Sequence, residues 1–219
     1  MHGLRIMARK SVILTLVFFF LVVIGSFILY GMNRIDIFFD PGDRYYSENL
    51  NYMGVPFKNI SDIRAFNEGY SESNNCPWGF EHRGIDFFFK NKSNVLAMAP
   101  GLVTEIEKHE ENPPNMYHVR IWVRFNRSVI LGYNFEPWTT IEKNREKQIS
   151  FFNVSVGDWV QKGDVIAKFL QFGDGAHIHF DILEDNNYHC PKKYFSTEGY
   201  NQIMELIHYF HSDWDLCYP

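Results

Sequence analysis

No polybasic run and no block of like charge occurs in the 219 residues, whose 21 Lys+Arg and 26 Asp+Glu give a formal net charge of −5. Nucleic-acid binders cluster their basic groups, so nucleic acid is not an expected partner. The composition is 46% hydrophobic and 17% aromatic, which excludes a disordered chain, and nothing in it suggests a long repeat array. Cysteine is scarce: Cys76, Cys190 and Cys217 are the only three. Cys190 and Cys217 bracket the last helical segment and are placed to close a disulfide that leaves Cys76 odd. Three free thiols fit the sequence as well.

Charge is missing altogether between Lys10 and Arg34. Val12 to Tyr30 is an uncharged, mostly apolar stretch that as a helix would run about 28 Å, close to bilayer thickness. A buried core helix would keep a polar stripe, and here only Thr15, Gly25 and Ser26 interrupt the run. No A-x-A-like cleavage site follows it, so an uncleaved anchor is expected over residues 11–32. Arg5, Arg9 and Lys10 precede the span and Asp36 and Asp40 follow it, which predicts a cytoplasmic amino terminus and an extracytoplasmic remainder. Residues 1–32 hold three basic and no acidic groups, leaving the remainder at −8.

The expected organisation is a cytoplasmic basic head (1–10), a transmembrane anchor (11–32), a juxtamembrane stalk passing into the domain edge (33–75), a β domain (76–184) and a C-terminal helical extension (185–219). Within the β domain, short strand-like runs are expected at Ile85–Phe89, Asn94–Ala97, Leu102–Glu107, Tyr117–Phe125, Ser128–Phe135, Gln148–Val154, Val165–Phe169 and His177–Leu183. No helical period separates them, which argues a mostly β fold, an antiparallel sandwich or rolled sheet, rather than βαβ units. Val119–Phe125 alternates, so Arg120 and Arg124 should leave the buried face, and Asn126-Arg127 should form a hairpin turn. Residues 138–150 (WTTIEKNREKQIS) are expected as a charged, solvated loop, with a substrate lid as the alternative. Thr197–His211 carries an amphipathic helical pattern with Ser196 or Thr197 as cap, and His208 and His211 are expected on its surface.

Two motifs carry chemistry. In His82-Arg83-Gly84-Ile85-Asp86, the His and Asp can address one ion if Gly84 lets the backbone approach closely. In His177-Ile178-His179-Phe180-Asp181, period-two alternation puts both imidazoles on one face and Ile178 and Phe180 in the core. Together they offer two His ligands, one carboxylate and a spare imidazole, the donor set of a catalytic zinc with an open position.

These motifs resemble those of the M23 family of zinc metallopeptidases, the lysostaphin-like and LytM-like endopeptidases. His82 to Asp86 matches H-x-G-x-D, Val95 to Val103 (VLAMAPGLV) the A-x-x-x-G-x-V strand pair, Val154 to Lys168 (VSVGDWVQKGDVIAK) the Gly-Asp hairpin, and Gly175 to Phe180 (GAHIHF) G-x-H-x-H-F. The resemblance covers roughly residues 76–184. It implies a zinc ion (Zn2+) held by His82, Asp86 and His179, with His177 beside the catalytic water as general base or proton donor. It also implies a sheet of the duplicated-hybrid-motif type with a groove along it, and a peptide substrate, in the family the peptide part of peptidoglycan. Val154 to Lys168 also resembles biotinyl and lipoyl carrier hairpins, but Lys162 sits inside the turn rather than at a modifiable tip.

One position departs from the family. A further family strand carries Y-x-H-[LF], whose His flanks the catalytic water, and in Gly132-Tyr133-Asn134-Phe135-Glu136-Pro137-Trp138 that position falls on Phe135, unless the register brings Asn134 or Glu136 there. Phe135 and the extra segment after Trp138 motivate an alternative: a catalytically weak or inactive envelope scaffold, or an activator with an envelope protein partner, that still binds zinc. His118 is a second candidate helper, and its place before a strand sets a surface role against that.

Overall fold

Alternation along a single strand organises the domain. In β10 (His177–Glu184), Ile178, Phe180 and Ile182 are fully buried on one face, while His177, His179 and Asp181 take the other. The computed structural model describes residues 19–25 and 52–219. The chain divides into two units, residues 1–42 and 43–219. In the first, residues 19–25 are helical and largely exposed; the rest of the expected anchor at 11–32 lies outside the described residues. Among the described residues no helix is long and apolar enough to cross a membrane.

The second unit is mostly β. Its strands are β1 (Ile63–Phe66), β2 (Tyr70–Ser71), β3 (Ile85–Phe89), β4 (Asn94–Leu96), β5 (Gly101–Glu110), β6 (Tyr117–Arg124), β7 (Val129–Glu136), β8 (Trp159–Val160), β9 (Val165–Lys168), β10, β11 (Asn187–Tyr188) and β12 (Cys217–Tyr218). The main sheet runs β1-β3-β10-β7-β6-β5-β8 with β11 beside β10, and its pairings are antiparallel. Two small sheets, β4 with β9 and β2 with β12, complete it. The core lies on the face of β10 that carries Ile178 and Phe180, joined by Phe87, Val119, Ile121, Tyr133 and Phe135, all fully buried. Arg120 and Arg124 leave that face as expected, and Asn126 closes the β6–β7 turn by accepting from Ser128 and Val129 N–H.

Four expectations are corrected. The charged stretch after Trp138 is a helix, α1 (Glu142–Ile149), and the strand expected at Gln148–Val154 is replaced by its end. Its residues are good helix formers, Arg145 pairs with Glu142 one turn away at 2.7 Å, and buried Gln148 stands in for a strand neighbour by bonding Lys168 O and Leu170 N. Of the expected stalk, residues 52–75 belong to the domain: β1 extends the main sheet, burying Ile63 and Phe66, and Met53 and Phe57 enter the core. His118 is buried, not a surface residue.

The C-terminal helix, α2 (Thr197–Phe210), is capped by Ser196 accepting from Gly199 N, and it buries Ile203, Leu206 and Ile207. His208 is exposed, but His211 is stacked on Trp214 and its Nε2 lies 2.6 Å from Phe66 O. Cys190 and Cys217 form a disulfide and Cys76 is free. The bridge ties β12, and through it β2, to the end of the main sheet. A closed loop of this length is worth roughly 3–4 kcal/mol in the chain-entropy account.

Candidate metal centre

The β3/β10 register sets His179 directly opposite Asp86. His82, just before β3, is tied to β2 by reciprocal backbone bonds with Ser71. The chain turns between His82 and Asp86 at Gly84, where a Cβ would lie 2.5 Å from the His179 ring, so only glycine allows the approach. This close approach brings His82 Nε2, Asp86 Oδ1 and His179 Nδ1 together: 3.0 Å between the two nitrogens, and 2.8 and 3.3 Å from the carboxylate to His179 and His82.

The donor set fits a metal ion. His82 Nδ1 donates to Gly69 O at 2.7 Å, so the lone pair of the neutral ring is on Nε2, facing His179 Nδ1. Two ring nitrogens and a carboxylate oxygen at this spacing need a cation or a proton between them. Tetrahedral zinc with donors at about 2.0–2.1 Å spaces them roughly 3.3 Å apart, close to the three separations observed. Behind His179, Asp181 Oδ2 lies 3.7 Å from the other ring nitrogen and is held by Arg120 at 2.9 Å. Gly132 makes room for it, since a Cβ there would lie 2.3 Å from Asp181 Oδ1. Asp181 is thus placed as an outer carboxylate behind a ligating imidazole.

His177 stands beside the three donors. Its ring lies between Phe88, 5.0 Å away, and Trp138, 5.9 Å away. Nδ1 donates to Gly175 O at 2.7 Å, which aims Nε2 at Asp86 Oδ2 and Glu136 Oε2, each 3.4 Å away. Trp138 has a positive φ of 60°, and Gly175 leaves space for its indole, since a Cβ there would lie 2.3 Å from the ring. The surrounding cleft, about 480 Å³, is lined also by Asn67, Glu68, Phe80 and Asp174.

The charges are coupled. Burial opposes charge on His82, but the hydrogen bond and charge of Asp86 raise its pKa to about 9. Burial likewise opposes ionisation of Asp86, yet the imidazoles around it, His177 first, hold it well below the usual carboxylate range. Burial, reinforced by the Asp86 charge, pushes Glu68 up to about 7. His177 is raised against its burial by Asp86 and Glu136. Burial raises Asp181 against the opposing charge of Arg120.

His82, Asp86, His177 and His179, all named from sequence, meet in one cleft. Phe135 does not join them. It pairs with Ile178, not with either histidine, so alternation turns its ring into the core against Phe152, while Glu136 opposite His177 and Asn134 opposite His179 take the cleft face. The register alternative, not Phe135, describes the site. Phe135→His is therefore expected to cost about 2–4 kcal/mol in chemical denaturation by burying a polar ring, with no gain in hydrolysis. Unchanged stability with increased hydrolysis would place this side chain in the cleft after all. Sequence reasoning missed Glu68 and the site role of Asp181. The second had a signal, since Asp181 continues the period-two series of His177 and His179.

An antiparallel sheet carries a His-Asp-His donor group in an acidic cleft, a donor set suited to a metal-dependent enzyme. The chain belongs to peptidase family M23, whose model matches residues 80–191. Similar solved structures include a zinc-containing peptidase from Vibrio cholerae, 20% identical over 64% of this chain and 39% of that one, with a TM-score of 0.44. The catalytic domain of the antimicrobial peptidase lysostaphin from Staphylococcus simulans is 19% identical over 60% of this chain and 91% of that one, TM-score 0.39. Csd3 from Helicobacter pylori is 18% identical over 70% and 38%, TM-score 0.47. The chain thus spans well under half of the Vibrio and Helicobacter chains. No curated protein matches it by sequence.

Proposed function

We propose that this M23 domain is a zinc-dependent endopeptidase that hydrolyses peptide bonds, with the peptide part of peptidoglycan as its substrate class. The observation that carries the reading is the convergence of His82 Nε2, Asp86 Oδ1 and His179 Nδ1 within 3.3 Å of one another beside an aimed fourth group, His177. Those three residues would hold the ion. Zinc, when bound, is a Lewis acid that makes water nucleophilic at neutral pH and polarises the scissile carbonyl. His177 then handles protons: its Nδ1 is committed to Gly175 O, so Nε2, facing the cleft, is the atom that accepts or donates. Phe88 and Trp138 pack against the buried ring.

The scaffold alternative rested on a missing histidine and an added segment, and the first motive stands, because β7 brings Glu136 and no histidine to the cleft. Phe135 is a core residue, and no residue of α1 lines the cleft. The reading includes residues 11–32 as a single-pass anchor, amino terminus inside, carrying the acidic domain outside the membrane; the support is the uncharged run and its flanking charges. The test is incubation of the zinc-loaded chain with muropeptides. New amino and carboxyl ends are expected, and their absence at one equivalent of zinc would overturn the peptidase reading.

A further inference from the structure

The cleft wall carries a carboxylate that two amides hold in position. Glu136 Oε1 accepts from Asn134 Nδ2, and Glu136 Oε2 accepts from Asn115 Nδ2, each at 2.6 Å. Each amide has a second partner. Asn134 Oδ1 lies 2.9 Å from His118 Nδ1, and Asn115 Oδ1 accepts from the Trp138 backbone N–H at 3.3 Å. The two amides hold the carboxylate in place, one on each oxygen. The same carboxylate stands opposite His177 in the β7/β10 register, with Oε2 3.4 Å from His177 Nε2 on the cleft wall.

This is the strand on which the family resemblance implies a histidine. A histidine can donate a hydrogen bond to negative charge developing on a carbonyl oxygen. A carboxylate repels that charge. What it can receive is N–H, and a peptide bond presents its N–H on the side away from the carbonyl oxygen.

We propose that Glu136 binds the nitrogen side of the scissile bond, accepting a hydrogen bond first from the amide N–H and then from the ammonium of the departing product. The proposal rests on the peptidase reading. Hydrolysis converts amide and water into a carboxylate and an ammonium, with both protons of the water ending on the nitrogen. Glu136 keeps neither. Asp174 and Glu68 on the same cleft add acidic groups that favour a cationic product end.

Two measurements test it. In the first, the zinc-loaded full chain and its Glu136→Gln and Glu136→Asp variants are titrated calorimetrically with trialanine amide and with its N-acetyl form. The native chain and Glu136→Asp are expected to prefer the free amine, and Glu136→Gln to bind it tenfold or more weakly, as for a lost charged hydrogen bond, with the acetylated peptide unaffected. Equal binding of both peptides by the native chain, or by all three proteins, overturns the proposal. In the second, a peptide substrate is compared with its ester analogue, in which oxygen replaces the scissile N–H. Glu136→Gln is expected to slow the amide by roughly ten- to a hundredfold and the ester less than threefold, with zinc content unchanged. Equal slowing of both reports a merely structural carboxylate and also overturns it. A native chain that distinguishes the two peptides but cleaves nothing would sink the peptidase reading and leave the amine site standing.

Discussion

Replacing His179 with alanine is expected to bring bound zinc from one equivalent to below half an equivalent and to abolish peptide hydrolysis. His179 supplies the donor nearest to both others, 2.8 Å from Asp86 Oδ1 and 3.0 Å from His82 Nε2, so its removal opens one corner of the only three-donor group among the described residues. Two donors do not close a tetrahedral site. Loss of an outer-shell partner costs roughly 10–100-fold in metal affinity, and loss of a direct ligand should exceed that range. The effect should appear as metal lost on dialysis and in competition with a chelator. The fold should persist, because His179 is on the polar face of β10 and the core residues Ile178 and Phe180 are untouched. One full equivalent of zinc in the variant, held as tightly as in the native chain, would refute the ligand assignment.

The second large effect belongs to His177. His177→Ala should keep its zinc, because the ring nitrogens of His82 and His179 and the Asp86 carboxylate remain, but lower kcat by about 10²- to 10⁴-fold, the usual contribution of a general acid–base. The contrast is the informative part: one imidazole of the pair removes metal and the other removes turnover with metal in place. Metal content and kcat measured on the same preparation distinguish them. His177→Ala also opens a gap between Phe88 and Trp138, so His177→Gln, which fills more of it, serves as the control for lost packing. Turnover within a few-fold of native in both variants would remove His177 from the mechanism.

Much of the site was legible because its residues fall at spacings that strands translate directly into geometry. His177 and His179 two apart must share a face, and Gly84 between His82 and Asp86 marks a close approach, which His179 makes. The matched hairpins and the glycines at their turns carried the β architecture. Less legible was anything that depended on which strand lies beside which. Phe135 and Glu136 are neighbours in sequence, yet the offset of β7 against β10 sends one into the core and the other into the cleft. His118 looked like a surface group because nothing near it in sequence shows Asn134 arriving from the next strand. Residues 142–149 looked like a loop because their pattern is polar all round, and their helix is supported largely by partners far along the chain, Lys168, Leu170 and His109.

By itself, then, the sequence determined the donor types, their pairing within each motif, the β class and the family, since these follow from local spacing and side-chain chemistry. The register of β7, β10 and β3 was decided only in the tertiary structure, by which apolar face could be buried and where glycine let two backbones meet. That choice turned Glu136 rather than Phe135 toward His177, and it set Glu136 between the amides of Asn115 and Asn134.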